Sequence, residues 1–141
     1  MPGLKSRPQL LRTMNVQSKS LPSQPFARIL LVEDDLHLAG FVEQALADLG
    51  HEVIHAHSVL DALNQLETTT FDLAVLDVEL RDGVVFPVAD RLASATTPYI
   101  FASAVYGQLI PMRHQHARFV AKPFHVDALQ EAVRKIGGPF I

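Results

Sequence analysis

Four places in the chain carry residues whose types could do chemistry together. Glu33, Asp34 and Asp35 follow the apolar run Ile29 to Val32. Asp77 follows Leu73 to Leu76, Ser103 follows Tyr99 to Ala102, and Lys122 with Pro123 follows Arg118 to Ala121. Three of these ends carry acid or base and the fourth a hydroxyl. Should the runs be neighbouring strands, Glu33, Asp34 and Asp77 meet at one edge of a sheet. Two carboxylates about 5 Å apart repel by roughly 3 kcal/mol at an effective dielectric near 20. Such a cluster stays ionised only beside a cation. Hard carboxylate oxygens suit Mg²⁺, which keeps several waters and accepts phosphate oxygens as further ligands. Asp35 reads differently. It stands where a helix begins, and its type suits an N-cap.

The elements that must position these residues follow from periodicity. Ile29 to Val32 and Leu73 to Leu76 are short, continuous apolar runs, as expected of strands buried on both faces. Leu38, Val42, Ala45, Leu46 and Leu49 repeat at helical spacing over Asp35 to Leu49, and Gly50 can end that helix. Glu52 to Ala56 reads as a second strand. Ser58, with Asp61 three residues on, starts a helix through about Glu67. A further helix runs from about Val85 to Ala93, with Pro87 tolerated in its first turn. Tyr99 to Ala102 is the fourth strand and Arg118 to Ala121 the fifth. The last helix spans Val126 to Ile136, with Arg134 and Lys135 in its final turn, where cations favour the dipole. Between Val105 and His116 a helix is poorly supported, because Gly107 and Pro111 interrupt it. Regular strand–helix alternation with short connections predicts an α/β fold, a doubly wound five-stranded parallel sheet with helices on both faces. Ligands of such sheets sit beyond the carboxyl ends of the strands.

Composition bounds the alternatives. The chain has 141 residues, 48% hydrophobic and 19% charged, which is one globular domain's worth. It has no cysteine, which excludes disulfides, a thiol nucleophile and thiolate zinc sites. No run approaches a membrane span or a signal peptide, so the expected location is cytoplasmic, with no membrane partner. The first 27 residues hold four cations and no acid, leaving −7 on the remainder of a chain whose total is −3. The excess of acid argues against a nucleic-acid partner. Residues 1–26, with Pro2, Pro8, Pro22 and Pro25, read as a flexible basic tail, and residues 27–138 as the folded domain. Of seven histidines, His55 and His57 would share one strand face, and His114 and His116 could do likewise. Packed or exposed imidazoles are expected there rather than a transition-metal site.

The segments Ile29 to Asp35, Asp72 to Asp77, Thr97 to Ala104 and Phe119 to Phe124, in this order and at these strand ends, resemble the receiver domain of bacterial two-component response regulators. The resemblance covers residues 28 to about 136. It implies a flavodoxin-like sheet of strand order 2-1-3-4-5, and Asp77 as phosphoacceptor. It implies a Mg²⁺ site formed by Glu33, Asp34, Asp77 and the backbone carbonyl of Glu79. It also implies Lys122 as the phosphate-pairing lysine, followed by a cis bond to Pro123. Ser103 and Phe119 take the positions of the family's switch pair. The chemistry agrees independently. A carboxylate can act as nucleophile and form an aspartyl-phosphate, and phosphoryl transfer needs chiefly a cation and placed donors.

The chain departs from the family's pattern in three places. Arg81 stands where many receivers have proline. Phe119 has no hydroxyl, so its ring should favour the inward position. Nineteen positions separate Ser103 from Lys122, which predicts a short or distorted fourth helix. Only five residues follow Ile136, so no output domain is expected. The expected function is a single-domain response regulator. It takes a phosphoryl group from a sensor histidine kinase or a histidine phosphotransfer protein. It then signals by contact with a downstream protein, or acts as a phosphate relay or sink. Its chemistry would be limited to self-phosphorylation and slow self-dephosphorylation rather than enzymatic turnover. A pseudo-receiver that only binds is the alternative, and the intact acids and Lys122 count against it. A haloacid-type hydrolase would use Glu79 as a second acid but needs a cap domain. No glycine-rich phosphate loop or G-x-S-x-G elbow is present.

Overall fold

The computed structural model describes residues 27–104 and 109–137. The basic tail over 1–26, the start of the doubtful Val105 to His116 segment and the end of the expected domain at 138 lie outside the described residues.

Five parallel strands form the main sheet: β1 (Arg28–Val32), β2 (Glu52–Ala56), β3 (Leu73–Leu76), β6 (Tyr99–Ser103) and β7 (Arg118–Ala121). Their spatial order is β2-β1-β3-β6-β7, the 2-1-3-4-5 arrangement expected. Strand side chains alternate between two cores. Leu30, Val32, Ala74, Leu76 and Phe101 face one, which α2 (Val59–Thr68) and α3 (Phe86–Ser94) cover. Ile29, Leu31, Leu73, Val75 and Ile100 face the other, which α1 (Leu36–Ala47) and α4 (Val126–Gly137) cover. Both faces of β1 and β3 are thus dry, which explains their uninterrupted apolar runs.

The helix starts follow their caps. Asp35 Oδ1 accepts from the amides of His37 and Leu38 at 3.0 and 3.1 Å, so Asp35 is the N-cap of α1. Ser58 Oγ accepts the Asp61 amide at 2.9 Å and caps α2. The Asp61 carboxylate does not reach back to Ser58; it takes the His57 amide and ring instead. Gly50, at φ +93°, turns the chain after α1, in a region only glycine enters freely.

One feature differs from expectation. A small antiparallel hairpin, β4 (Glu79–Leu80) and β5 (Gly83–Val84), follows β3. Among the described residues between β6 and β7, a 3-10 turn forms at Met112–His114. His114 is buried in it and stacks on Phe86 with rings 14° from parallel. Its Nε2 donates to Asp90 Oδ1 at 2.7 Å, and Nδ1 lies 2.6 Å from the Tyr99 hydroxyl. An ionised carboxylate only accepts, so Nε2 carries a proton and is the donor to Asp90. Arg113 adds two bonds to Asp90. These contacts tie the segment before β7 to α3 and β6. His114 and His116 therefore do not share a strand face. Nor do His55 and His57, because β2 ends at Ala56.

Candidate functional site

The site is built by backbone pairing that continues past the strand ends. The Glu33 amide donates to the Ala56 carbonyl, the Asp77 amide to Val32 and the Lys122 amide to Ser103, at 2.9 to 3.1 Å. The last residues of β1, β3, β6 and β7 are thereby held side by side. The chain runs from β1 outward to β2 and then crosses back to β3. The crevice at that reversal is where doubly wound sheets bind ligands, and Glu33, Asp34 and Asp77 lie there.

One carboxylate oxygen from each of these three acids falls within 4.8 Å of the others. At that separation each ionised pair repels by about 3.5 kcal/mol or more at an effective dielectric of 20. Glu33 and Asp77 are buried and Asp34 is half-buried. Lys122 supplies the compensating charge. Its Nζ donates to Glu33 Oε1 at 2.8 Å and to Asp77 Oδ2 at 3.0 Å. Burial pushes the Glu33 carboxyl above its ordinary value, against the opposing pull of the Lys122 bond and the Asp35 amide. Burial pushes Lys122 down, but its bonds to Glu33 and Asp77 and their charges outweigh that, so its net shift is upward. Three acids and one lysine leave a net charge of −2 on the cluster. A set of hard oxygen donors with that charge fits a small divalent cation.

Neighbouring contacts fix the acids' directions. Glu33 Oε2 accepts the Asp35 amide at 3.0 Å. The Glu33 carbonyl accepts from His55 Nε2 at 2.6 Å. Asp34 Oδ2 accepts the Arg81 amide at 3.0 Å, from the tip of the β4–β5 hairpin. Ser103 ends β6, wholly buried, in register with Ala121, one residue before Lys122. Phe119 lies on β7 opposite Phe101, half-buried against the core that holds Phe101 and Ile110. Glu79 opens β4, two residues past Asp77, with its side chain exposed. The Lys122–Pro123 bond is cis. The structure thus brings Glu33, Asp34, Asp77 and Lys122 into one cluster, with Ser103 at the adjoining strand end. It places Phe119 two residues before Ala121 on β7 and Glu79 at the root of the hairpin. His55 and the Arg81 amide were not legible as site-shaping groups. The Asp82-Gly83 pair, a frequent turn dipeptide, was the one available signal for the hairpin.

The family model for the response regulator receiver domain matches residues 29–134. The chain belongs to that family. Among curated relatives, the transcriptional regulatory protein DltR of Streptococcus agalactiae is 32% identical over 112 residues, covering 76% of this chain and 50% of its own length. The swarming motility regulation protein RssB of Serratia marcescens is 33% identical over 113 residues, covering 77% and 52%. The chain therefore spans about half the length of the curated relatives it matches. Among solved structures, the non-phosphorylated HemR receiver domain of Leptospira biflexa superposes with a TM-score of 0.68 at 30% identity, covering 77% of this chain and 91% of that one. The response regulator TrrA of Thermotoga maritima, solved in complex with Mg²⁺ and BeF, gives a TM-score of 0.68 at 26% identity, covering 77% and 96%. These matches agree with the five-stranded sheet and its strand order. No helix among the described residues is long and apolar enough to cross a membrane.

Proposed function

We propose that this receiver domain accepts a phosphoryl group on Asp77 from a phosphohistidine of a sensor kinase or phosphotransfer protein, with Mg²⁺ as its cofactor. The observation that carries the reading is the convergence of Glu33, Asp34 and Asp77 on one point, with Lys122 bonded to two of them. Glu33, Asp34 and Asp77 would hold the metal, together with the Glu79 carbonyl at the start of the hairpin. When bound, the metal supplies positive charge against the oxygens of the transferring group. An Asp77 carboxylate oxygen forms the new bond to phosphorus. The P–N bond of the donor breaks, and its electron pair returns to the imidazole, which takes up a proton. Lys122 already sits on Asp77 Oδ2 and pairs with the incoming phosphoryl oxygens. The buried Ser103 hydroxyl, one strand over, donates to the phosphoryl group once it is present. Phe119 then follows the vacated volume inward, and the altered β6–β7 face is read by a downstream protein. The chain performs self-phosphorylation and slow self-dephosphorylation and turns over no separate substrate.

The experiment is incubation with acetyl phosphate in excess Mg²⁺ or excess chelator, followed by intact-mass analysis. Incorporation of one phosphoryl group that depends on Mg²⁺ is expected. Equal incorporation in chelator would overturn the metal assignment, and none in either condition would leave a binding-only pseudo-receiver.

A further inference from the structure

The tip of the β4–β5 hairpin is pinned on two sides. Arg81 donates its amide to Asp34 Oδ2 at 3.0 Å. The next residue, Asp82, reaches the other way. Its two carboxylate oxygens accept the amides of Val59 and Leu60, at 2.9 and 3.0 Å. Those are the first two residues of α2. The amides at a helix start lack partners within the helix, and a carboxylate there also meets the positive end of the dipole. The two bonds hold the Asp82 carboxyl below its ordinary value.

Helix α2 already has its own cap in Ser58, which satisfies the Asp61 amide. A second cap, from a residue more than twenty positions away in sequence, does more for the hairpin than for the helix. It gives a two-residue tip one fixed seat. The adjacent Arg81 amide is then held against Asp34. Among the described residues, that amide is the hydrogen bond the Asp34 side chain accepts. Asp34 is the half-buried member of the acid cluster, and Glu33 and Asp77 repel it toward solvent. Lys122 bonds the other two acids and not this one. The restraint that keeps Asp34 turned inward therefore comes through the hairpin.

We propose that Asp82 is a positioning residue for the divalent-cation site: seated on the N-terminus of α2, it holds the Arg81 amide on Asp34 and keeps that carboxylate directed at Glu33 and Asp77. This rests on the reading of the acid cluster as a Mg²⁺ site. Loss of partners that orient metal ligands typically weakens affinity by 10- to 100-fold.

The test is Mg²⁺ titration of the unphosphorylated full chain with magnesium chloride, followed by amide chemical shifts or calorimetry. Asp82→Ala should weaken Mg²⁺ binding by about tenfold, at the low end for such partners. Asp82→Asn, which keeps one acceptor, should fall between it and the wild type. Ser58→Ala removes the helix's own cap and should bind Mg²⁺ within about twofold of wild type, although its melting temperature should fall through the lost cap. Should Asp82→Ala fail to fold, Asp82→Asn against Ser58→Ala decides. Unchanged affinity in the Asp82 variants, or an equal loss in Ser58→Ala, overturns the proposal. A wild-type chain that binds no Mg²⁺ instead overturns the reading of the cluster itself.

Discussion

Replacing Lys122 with methionine removes a charge while keeping a side chain of similar length. Lys122 Nζ lies 2.8 Å from Glu33 and 3.0 Å from Asp77. At an effective dielectric of 20 the two attractions are each about 6 kcal/mol before desolvation is subtracted. The side chains of Lys122, Glu33 and Asp77 are 19%, 5% and 9% exposed, so most of their hydration is lost and much of that attraction is offset. What survives is about 1.5–3 kcal/mol for each charge-assisted bond. Stripping one partner from a buried pair costs about 3–5 kcal/mol, because the remaining charges stay uncompensated. Here two acids are stranded, but Lys122 is part-exposed and water can replace it in part. The expected loss is therefore at the low end, about 3 kcal/mol, or about 12 °C in Tm for a domain of this size. The assay is thermal unfolding of both proteins in chelator at pH 7. Mg²⁺ should then bind the variant more tightly than the wild type, since a neighbouring positive charge has gone. Added Mg²⁺ should accordingly narrow the gap in Tm by mass action. A variant that melts within about 2 °C of wild type in chelator would refute Lys122 as the neutralising charge. A gap that Mg²⁺ leaves unchanged would refute the shared cation position.

Ser103→Ala should accept phosphate from small donors at a rate within about fivefold of wild type, because a single hydroxyl bond of about 1 kcal/mol is lost. Its chemical-shift changes along β6 and β7 on phosphorylation should shrink; shifts identical to wild type would remove Ser103 from the switch. Asp90→Asn probes the contacts that tie the segment before β7 to α3. The Arg113 bonds first, and then His114, hold the Asp90 carboxyl below its ordinary value, so its stabilisation is present above the unfolded pKa and is lost as pH falls through the lower folded value. The pair is half-exposed, so the neutral-pH loss should stay near 1 kcal/mol. The difference from wild type should shrink as pH falls below the ordinary carboxylate value and close in strong acid, and a gap in denaturant midpoint that does not change with pH would contradict this origin.

The main sheet was legible because β1 and β3 are buried on both faces and their apolar runs are unbroken. Asp35 as the α1 cap and Ser58 as the α2 cap were legible from residue type at the helix start. The cluster of Glu33, Asp34 and Asp77 followed from topology, since parallel strands deliver their next residues to one edge. The hairpin was not legible, because two-residue strands carry no period. Asp82 as a cap for α2 was hidden by sequence distance: the sequence offered Ser58, and a cap reaching in from a loop has no local signature. The role of His114 was hidden for a related reason. A histidine three residues after Pro111 gives no sign that Asp90 and Tyr99, from two other elements, will close on both its nitrogens.

The central claim is that the Asp77 carboxylate is the phosphoryl acceptor. Intact-mass measurement of wild type and Asp77→Asn, each incubated with acetyl phosphate and Mg²⁺, tests it most directly. The amide is nearly isosteric and not nucleophilic, so the variant should keep its fold by thermal unfolding. The account predicts one phosphoryl group on the wild type and none on Asp77→Asn. Full incorporation on the folded variant would contradict it.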